Sequence, residues 1–275
     1  MPNQAQRAET FRALHQDDGL LVLPNPWDAG SAKMLAALGC RALATTSAGL
    51  AFSLGRRDAE GAVSRDEALA NARAIVEATS LPVAADLENG YGDSPEACAE
   101  TLRRAAEVGL VGGSIEDASG RADAPIYPFE LAVERVRASV EAARRLPFPF
   151  TFAARAENFL HGRPDLDDTI RRLVAYAEAG ADVLYAPGLT TREQIVEVVR
   201  AVAPKPVNLL VGSPALKVGL AELAELGVKR VSLGSNLARV AYGAFFRAAE
   251  DLLCGDLTAT QRAMPFDRIN DLFRG

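Results

Sequence analysis

The stretch Leu81-Pro82-Val83-Ala84-Ala85-Asp86-Leu87-Glu88-Asn89-Gly90-Tyr91-Gly92 decides how the chain is read. A short apolar run with strand character ends in two carboxylates two residues apart, then breaks into a glycine-rich loop. Strand side chains alternate faces, so Asp86 and Glu88 project the same way from the strand's C-terminal end. Two like charges held that close are costly unless a cation or a shared proton relieves them. An oxygen-only pair at a strand end fits a hard ion such as Mg²⁺, which takes one or two carboxylates, keeps waters and leaves room for a substrate. In isolation a D-x-E pair reads more simply as two solvated acids on a loop, so the surroundings must decide.

Working outward, apolar β-branched runs alternate with alanine-rich amphipathic segments along nearly the whole chain. The pattern predicts strands over 20–24, 41–46, 82–87, 112–116, 150–155, 182–186, 206–211 and 229–233. It predicts helices over 28–38, 64–79, 94–108, 129–145, 166–179, 191–202, 215–226 and 236–253. Helix starts carry N-cap signals at Ser64 with Glu67, at Ser94 before Pro95 and Glu96, and at Thr190 or Thr191. Gly39, Gly109, Gly180 and Gly227 mark helix ends. Eight strand–helix pairs without a composition break predict one (β/α)₈ TIM-type barrel spanning 1–275, with a helical tail at about 254–275. A doubly wound open sheet would need fewer strands or a phosphate loop, and neither G-x-G-x-x-G nor G-x-x-x-x-G-K-[ST] occurs.

The 275 residues suit such a barrel, and 49% hydrophobic content supplies its core. A net charge of −6 without any Lys/Arg block argues against nucleic-acid or anionic-membrane partners. Small anionic substrates stay open, because a metal and one arginine can reverse the sign of a single cleft. Cys40, Cys98 and Cys254 are too scattered for a disulfide framework or a zinc site, and no signal or membrane-spanning segment is visible. The expectation is a soluble, cytoplasmic protein.

Barrel chemistry sits at the C-terminal ends of the strands. Those ends hold Asn25, Trp27 and Asp28; Thr45, Thr46 and Ser47; Asp86 and Glu88; Glu116 and Asp117; Arg155, Glu157 and Asn158; Tyr185; Asn208; and Ser235 with Asn236. Ser47-Ala48-Gly49 reads either as a small-residue turn or as a cradle for a carboxylate. Glu116-Asp117 reads as a distant helix cap or as part of a metal shell. Arg155 ends a near-apolar run and needs an anionic partner, either Glu157 or a ligand carboxylate. His15, on a leading helix, reads as a surface residue, and His161 lies on a polar loop.

With these residues in place, the chain resembles the isocitrate lyase/phosphoenolpyruvate mutase superfamily from about residue 20 to residue 250. The likeness rests on Ser47-Ala48-Gly49 with Leu54-Gly55-Arg56-Arg57-Asp58, on Asp86-Leu87-Glu88-Asn89-Gly90-Tyr91-Gly92, on Ile115-Glu116-Asp117, and on Ala154-Arg155-Ala156-Glu157-Asn158-Phe159. The resemblance implies that Ser47 and the amides of Ala48 and Gly49 hold a 2-oxo acid. It implies Asp86 as the main contact to Mg²⁺ (Mn²⁺ being an alternative ion), with Asp58, Glu88 and Glu116 around it. It gives Arg155, Asp58 and Glu116 catalytic roles, and has Trp27 and Asn208 line the pocket beside Asp86. It further implies a homo-oligomer, a dimer or a tetramer, in which the last barrel helix, about 236–253, is exchanged between subunits.

The activity implied is a Mg²⁺-dependent lyase breaking or forming a C–C bond beside a small 2-oxo or 2-hydroxy carboxylate, of isocitrate/methylisocitrate lyase or oxaloacetate decarboxylase type. A phosphonopyruvate-type P–C mutase or hydrolase is the alternative, as is a non-catalytic 2-oxo-acid-binding protein. One departure stands out. Isocitrate and methylisocitrate lyases carry a K-[KR]-C-G-H loop after the fourth strand, whereas this chain has the short Asp117-Ala118-Ser119-Gly120-Arg121-Ala122-Asp123-Ala124-Pro125-Ile126-Tyr127. Tyr185, Arg121 or Tyr127 then become the candidate proton donors. Arg155→Ala is expected to weaken oxo-acid binding far more than it lowers the melting temperature.

Overall fold

Short apolar runs bounded by glycines become the strands of a closed parallel sheet. The computed structural model describes residues 2–274. The strands are β1 (Leu21–Leu23), β2 (Leu43–Ala44), β3 (Val83–Asp86), β4 (Gly112–Glu116), β5 (Thr151–Arg155), β6 (Val183–Tyr185), β7 (Val207–Leu210) and β8 (Arg230–Ser232). Every paired neighbour is parallel, and the order β1-β8-β7-β6-β5-β4-β3-β2 follows the chain around the ring. The seam between β1 and β2 is closed by Ala44 N donating to Pro24 O at 3.1 Å. Asn25 locks it: its Nδ2 donates to Ala44 O and Thr45 O, and its Oδ1 accepts from Leu233 N and Gly234 N. The expected TIM-type barrel of eight parallel strands is therefore present.

The helices are α1 (Gln4–Leu14), α2 (Ala29–Ala37), α3 (Ser47–Ser53), α4 (Arg65–Glu77), α5 (Pro95–Glu107), α6 (Phe129–Arg144), α7 (Leu166–Glu178), α8 (Arg192–Val202), α9 (Leu220–Glu225), α10 (Asn236–Leu253) and α11 (Phe266–Phe273). Ser64 and Glu67 form a capping box on α4, Ser94 caps α5 ahead of Pro95, and Thr191 rather than Thr190 caps α8 with Gln194. Gly39, Gly109, Gly180 and Gly227 all have left-handed φ just past helix ends, where a side chain would be strained.

Two elements differ from the pattern reading. Ser47-Ala48-Gly49 is the first turn of α3, capped by the Thr46 hydroxyl accepting from Gly49 N; so short a helix has no periodicity to detect. Helix α9 begins at Leu220 rather than 215, because Gly212 (φ +108°) and a turn closed by Leu216 N to Ser213 O use up the preceding residues.

The main core lies between the sheet and its helices, built from side chains such as Leu43, Leu102, Phe152, Leu184 and Val231. A second cluster places Ala8, Phe11 and Leu14 of α1 against Leu21, Leu23 and Val111, sealing the N-terminal end of the barrel. His15 is drawn into this seal, contrary to its reading as a surface residue. Its ring meets Phe11 edge-on with centroids 4.7 Å apart. Its Nδ1 lies 2.8 Å from Phe11 O and so carries the proton, leaving Nε2 to accept from Arg230 Nη1 at 3.3 Å. The tail helix α11 rests on α2, with Lys33 Nζ donating to Phe273 O at 3.1 Å. Among the described residues no helix is long and apolar enough to cross a membrane, and the three cysteines are free.

Burial, reinforced by the Arg230 charge, lowers the His15 pKa from 6.5 to about 4. The folded chain then binds fewer protons than the unfolded one, so this contribution is complete above pH 6.5 and is lost as pH falls toward 4. Urea midpoints across that window are expected to fall less steeply for His15→Gln than for the parent. Equal slopes would show that His15 is not buried neutral.

Candidate active site

The C-terminal rim gathers its polar groups because four strand ends stop at the same level. Asp86 closes β3, Glu116 closes β4 and Arg155 closes β5, with Glu116 and Arg155 in register. Tyr185 of β6 is the register partner of Arg155 on the other side. Arg155 Nη1 donates to Asp86 Oδ1 at 2.8 Å. Its Nη2 pairs with Glu116 Oε2 at 3.1 Å and Glu157 Oε1 at 2.7 Å, and Nε donates to Glu157 at 2.9 Å. The second Asp86 oxygen accepts from the Ser47 hydroxyl at 2.8 Å and from Ser47 N at 3.2 Å. Of the two partners open to Arg155 in the sequence, Glu157 is taken up, and two further carboxylates join it.

One guanidinium does not balance the acids around it. Burial, then the neighbouring Asp86, raises the Asp58 carboxyl above its ordinary value. Burial, Asp86 and Asp58 push Glu88 up to about 7. Burial drives Glu116 well above the usual carboxylate range, only partly offset by Arg155. The backbone here is strained as well: Glu88 (φ +46°) and Tyr91 (φ +57°) occupy the left-handed region that non-glycine residues avoid. What enforces this is Arg135 of α6, nearly fully buried. It donates to Gly92 O, Asp93 O and Asn89 O, and stacks 4.2 Å from the Tyr127 ring centroid.

A cavity of about 210 Å³ opens at this rim, and Ser47, Ala48, Asp58, Asp86, Arg155 and Asn208 all line it. Glu88 and Glu116 face a neighbouring cleft of about 610 Å³ on the side of the β4 loop. Trp27 and Gly49 line neither space. Instead they pack together: a Cβ on Gly49 would come within 2.9 Å of Trp27 Cβ and 2.5 Å of Thr46 Cγ2, so glycine is required for this contact. Gly49 N is spent on Thr46. Asp117 is not a helix cap. It is buried, accepting from Glu157 N, Tyr176 Oη and Arg172 Nη1, and so props Glu157 under Arg155.

Of the three candidate proton donors, Tyr185 lines the cavity, 5.0 Å beneath the Arg155 guanidinium, with burial raising its phenol to about 12. Arg121 is paired with Asp93 on the surface, and Tyr127 is held by Asp93 and Asn89. His161 lies on the wall of the larger cleft, its Nε2 3.9 Å from Glu157. Arg135, Arg230 and the unpartnered, buried Tyr91 hydroxyl were not singled out from the sequence. For Arg230 a signal existed, an arginine inside a strand's apolar run; Arg135 looks like any solvated arginine on an amphipathic helix.

A family model described as phosphoenolpyruvate phosphomutase matches residues 11–253. The chain belongs to the isocitrate lyase/phosphoenolpyruvate mutase superfamily. A solved structure from Burkholderia cenocepacia J2315, described as a candidate lyase/mutase, is 58% identical with a TM-score of 0.95, covering 99% of this chain and 97% of that one. An uncharacterised Mycobacterium tuberculosis (strain H37Rv) protein is 36% identical over 82% of each chain. The 2,3-dimethylmalate lyase of Eubacterium barkeri is 28% identical over 80% of this chain and 77% of its own. A solved 2,3-dimethylmalate lyase superposes with a TM-score of 0.88 at 27% identity, covering 100% of this chain and 96% of that one. The superfamily comprises lyases and mutases acting on small carboxylates, typically with Mg²⁺.

The three-way ion pairing revises what Arg155→Ala should do. Removing the cation strands Asp86, Glu116 and Glu157 together, and breaking a buried pair typically costs about 3–5 kcal/mol. Chemical denaturation of Arg155→Ala is therefore expected to show a loss of that order, alongside any loss of ligand binding. A loss under about 1 kcal/mol, the range of an exposed pair, would mean the guanidinium is not the keystone of the rim.

Proposed function

We propose that the chain is a Mg²⁺-dependent carbon–carbon lyase that breaks or forms the bond beside a small 2-oxo or 2-hydroxy carboxylate. The observation that carries this reading is the cavity in which Ser47, Asp86 and Arg155 meet beneath a surplus of acids. The acids are oxygen-only donors, and burial and neighbouring carboxylates raise Asp58 and Glu88, the condition that a hard cation relieves. Among the described residues no three of them already converge as a coordination set. The proposal has Mg²⁺ held directly by Asp86 and, through water, by Asp58, Glu88 and Glu116. Bound there, Mg²⁺ would supply Lewis-acid polarisation of the substrate's 2-oxygen.

The protein's own residues account for the rest. Cleavage beside a 2-hydroxy acid passes the hydroxyl proton to a carboxylate of the rim, while loss of CO₂ beside a 2-oxo acid needs no such transfer. Either leaves negative charge on an enolate oxygen. Arg155, fixed by Glu116 and Glu157, offers a permanent cation to that charge without having to reorganise. Ser47 Oγ and the Ala48 amide bind the carboxylate end, and Ser47 swings from Asp86 to do so. Tyr185 is protonated at neutral pH and is the phenol on the cavity wall, which suits it to deliver a proton to the enolate carbon. The short β4 loop has no cysteine, lysine or histidine to take that part.

The reading includes assembly through α10. Among its residues Ala238 is buried, while Val240, Phe245, Phe246 and Leu253 are 67%, 72%, 63% and 88% exposed. So large an apolar face fits exchange of this helix within a dimer or tetramer. Light scattering is expected to find an oligomer that Phe245→Asp/Phe246→Asp dissociates; a monomeric parent chain contradicts the assembly.

The activity itself is tested by incubating the chain with a panel of 2-hydroxy and 2-oxo dicarboxylates and following release of oxo acid or CO₂. Turnover is expected with Mg²⁺, lost in EDTA and restored by added Mg²⁺. Tyr185→Phe is expected to lower kcat by roughly 10²-fold or more with little change in KM. Turnover indifferent to EDTA would defeat the metal assignment, and an unchanged Tyr185→Phe would defeat the proton donor.

A further inference from the structure

Arg230 is a cation in the barrel interior with no acid beside it. It lies in β8 opposite Asn208 on one side and Leu21 on the other, and is 6% exposed. Its Nε donates to Asn208 Oδ1 at 2.8 Å and its Nη1 to His15 Nε2 at 3.3 Å. Both partners are neutral, and no carboxylate among the described residues forms an ion pair with it. Of the other buried arginines, Arg155 and Arg172 pair with two or more acids each, and Arg135, which has no acid partner either, gives its donors to three backbone carbonyls. Burial, with Arg155 nearby, lowers the Arg230 pKa to about 10, so it still carries its charge at neutral pH. An uncompensated buried charge is strongly unfavourable and is seldom left in a fold without a partner.

The guanidinium's surroundings indicate where a partner would come from. Arg230 lines the same cavity of about 210 Å³ as Ser47, Asp86 and Arg155, with Asn208, Ser232 and Tyr185 beside it. Asn208 Nδ2 donates to Ser232 Oγ at 2.9 Å, which orients the amide oxygen toward Arg230 Nε; with Nη1 turned to His15, Nη2 is the guanidinium nitrogen left without an acceptor among the described residues. Arg155, by contrast, already has three carboxylates beside it. The cavity is thus acid-rich at its rim and has an unpaired cation on its floor.

We propose that Arg230 is a carboxylate-binding subsite on the cavity floor, with Asn208 and His15 positioning its guanidinium. The naming of that carboxylate as a second acid group of the substrate, distal to the end held at Ser47 and Arg155, rests on the function proposed above. The subsite itself does not. Arginine presents paired N–H donors that match a carboxylate's two oxygens, and such charge-assisted contacts are about twice as strong as neutral ones. A substrate with acid groups at both ends would be held by two arginines across one small cavity, and a monocarboxylate by one.

The test is calorimetric titration of the full chain, with Mg²⁺ present, using succinate and pyruvate as probes. Succinate has two carboxylates and no 2-oxygen; pyruvate has the 2-oxo acid head alone. Arg230→Met is expected to weaken succinate roughly tenfold or more while moving pyruvate less than about threefold. Arg230→Lys keeps the charge without the planar fork, and is expected to fall between Arg230→Met and the parent for succinate. It decides the matter alone if Arg230→Met does not fold. No succinate binding by the parent chain, or equal succinate affinity in parent and variants, overturns the proposal. So does a parallel loss of succinate and pyruvate, which would make Arg230 a structural prop. Arg230-dependent succinate binding in a chain that shows no Mg²⁺-dependent turnover would sustain the subsite and bring down the proposed lyase activity instead.

Discussion

A single guanidinium tied to three carboxylates, Arg155 with Asp86, Glu116 and Glu157, is the contact on which the rim of this barrel depends. The acids come from β3, from β4 and from the turn after β5, so the cluster pins three consecutive strand ends at one height. Each charge is costly to bury, and the arrangement holds because each acid shares the one guanidinium and Asp86 accepts further from Ser47. Asp117 extends the same logic outward: Arg172 and Tyr176 fix its carboxylate, which in turn accepts from Glu157 N. The positions of Ser47, through Asp86, and of Tyr185, beneath the guanidinium, follow from this centre.

Much of this arrangement can be read from the chain alone. Strand ends announce themselves by an apolar run followed by a polar residue, and Asp86, Glu116 and Arg155 each stand at such a break, whereas Asn208 sits inside β7. Helix ends announce themselves by Ser or Thr before an acid and by glycine after the last turn, which is why Ser64, Ser94 and the four C-terminal glycines fall into place. These signals are local, and local chemistry enforces them.

What escaped the sequence depends on distant partners. Arg135 is spaced like a surface residue of α6, and only the approach of the Asn89–Asp93 loop makes it a buried clamp. His15 looks solvated until α1 folds under the barrel and meets Arg230. Trp27 and Gly49, both assigned to the pocket, turn out to need each other because the Gly49 position in the first turn of α3 packs directly on Trp27. The Glu116–Arg155 pairing likewise depends on register across two strands some forty residues apart in the chain, which no spacing along either strand reveals.

The β4 loop is tied down along its length. Ala118 and Ile126 bridge its two arms, Ser119 N donates to Pro125 O, and Tyr127 Oη donates to Asp93, so the segment is tied to the Arg135-clamped loop beside it. A loop anchored at this many points serves as a wall of the larger cleft and brings no reactive side chain over the rim. In the proposed reaction the chemistry falls to groups fixed to strands, and chiefly to the acids around Asp86.

The most direct test of that account is Mn²⁺ binding followed by electron paramagnetic resonance, with Asp86→Asn beside the parent chain. One bound ion per parent chain, displaced by Mg²⁺ and lost in Asp86→Asn, is the result the account predicts. Mn²⁺ bound equally by both proteins, or by neither, would contradict it.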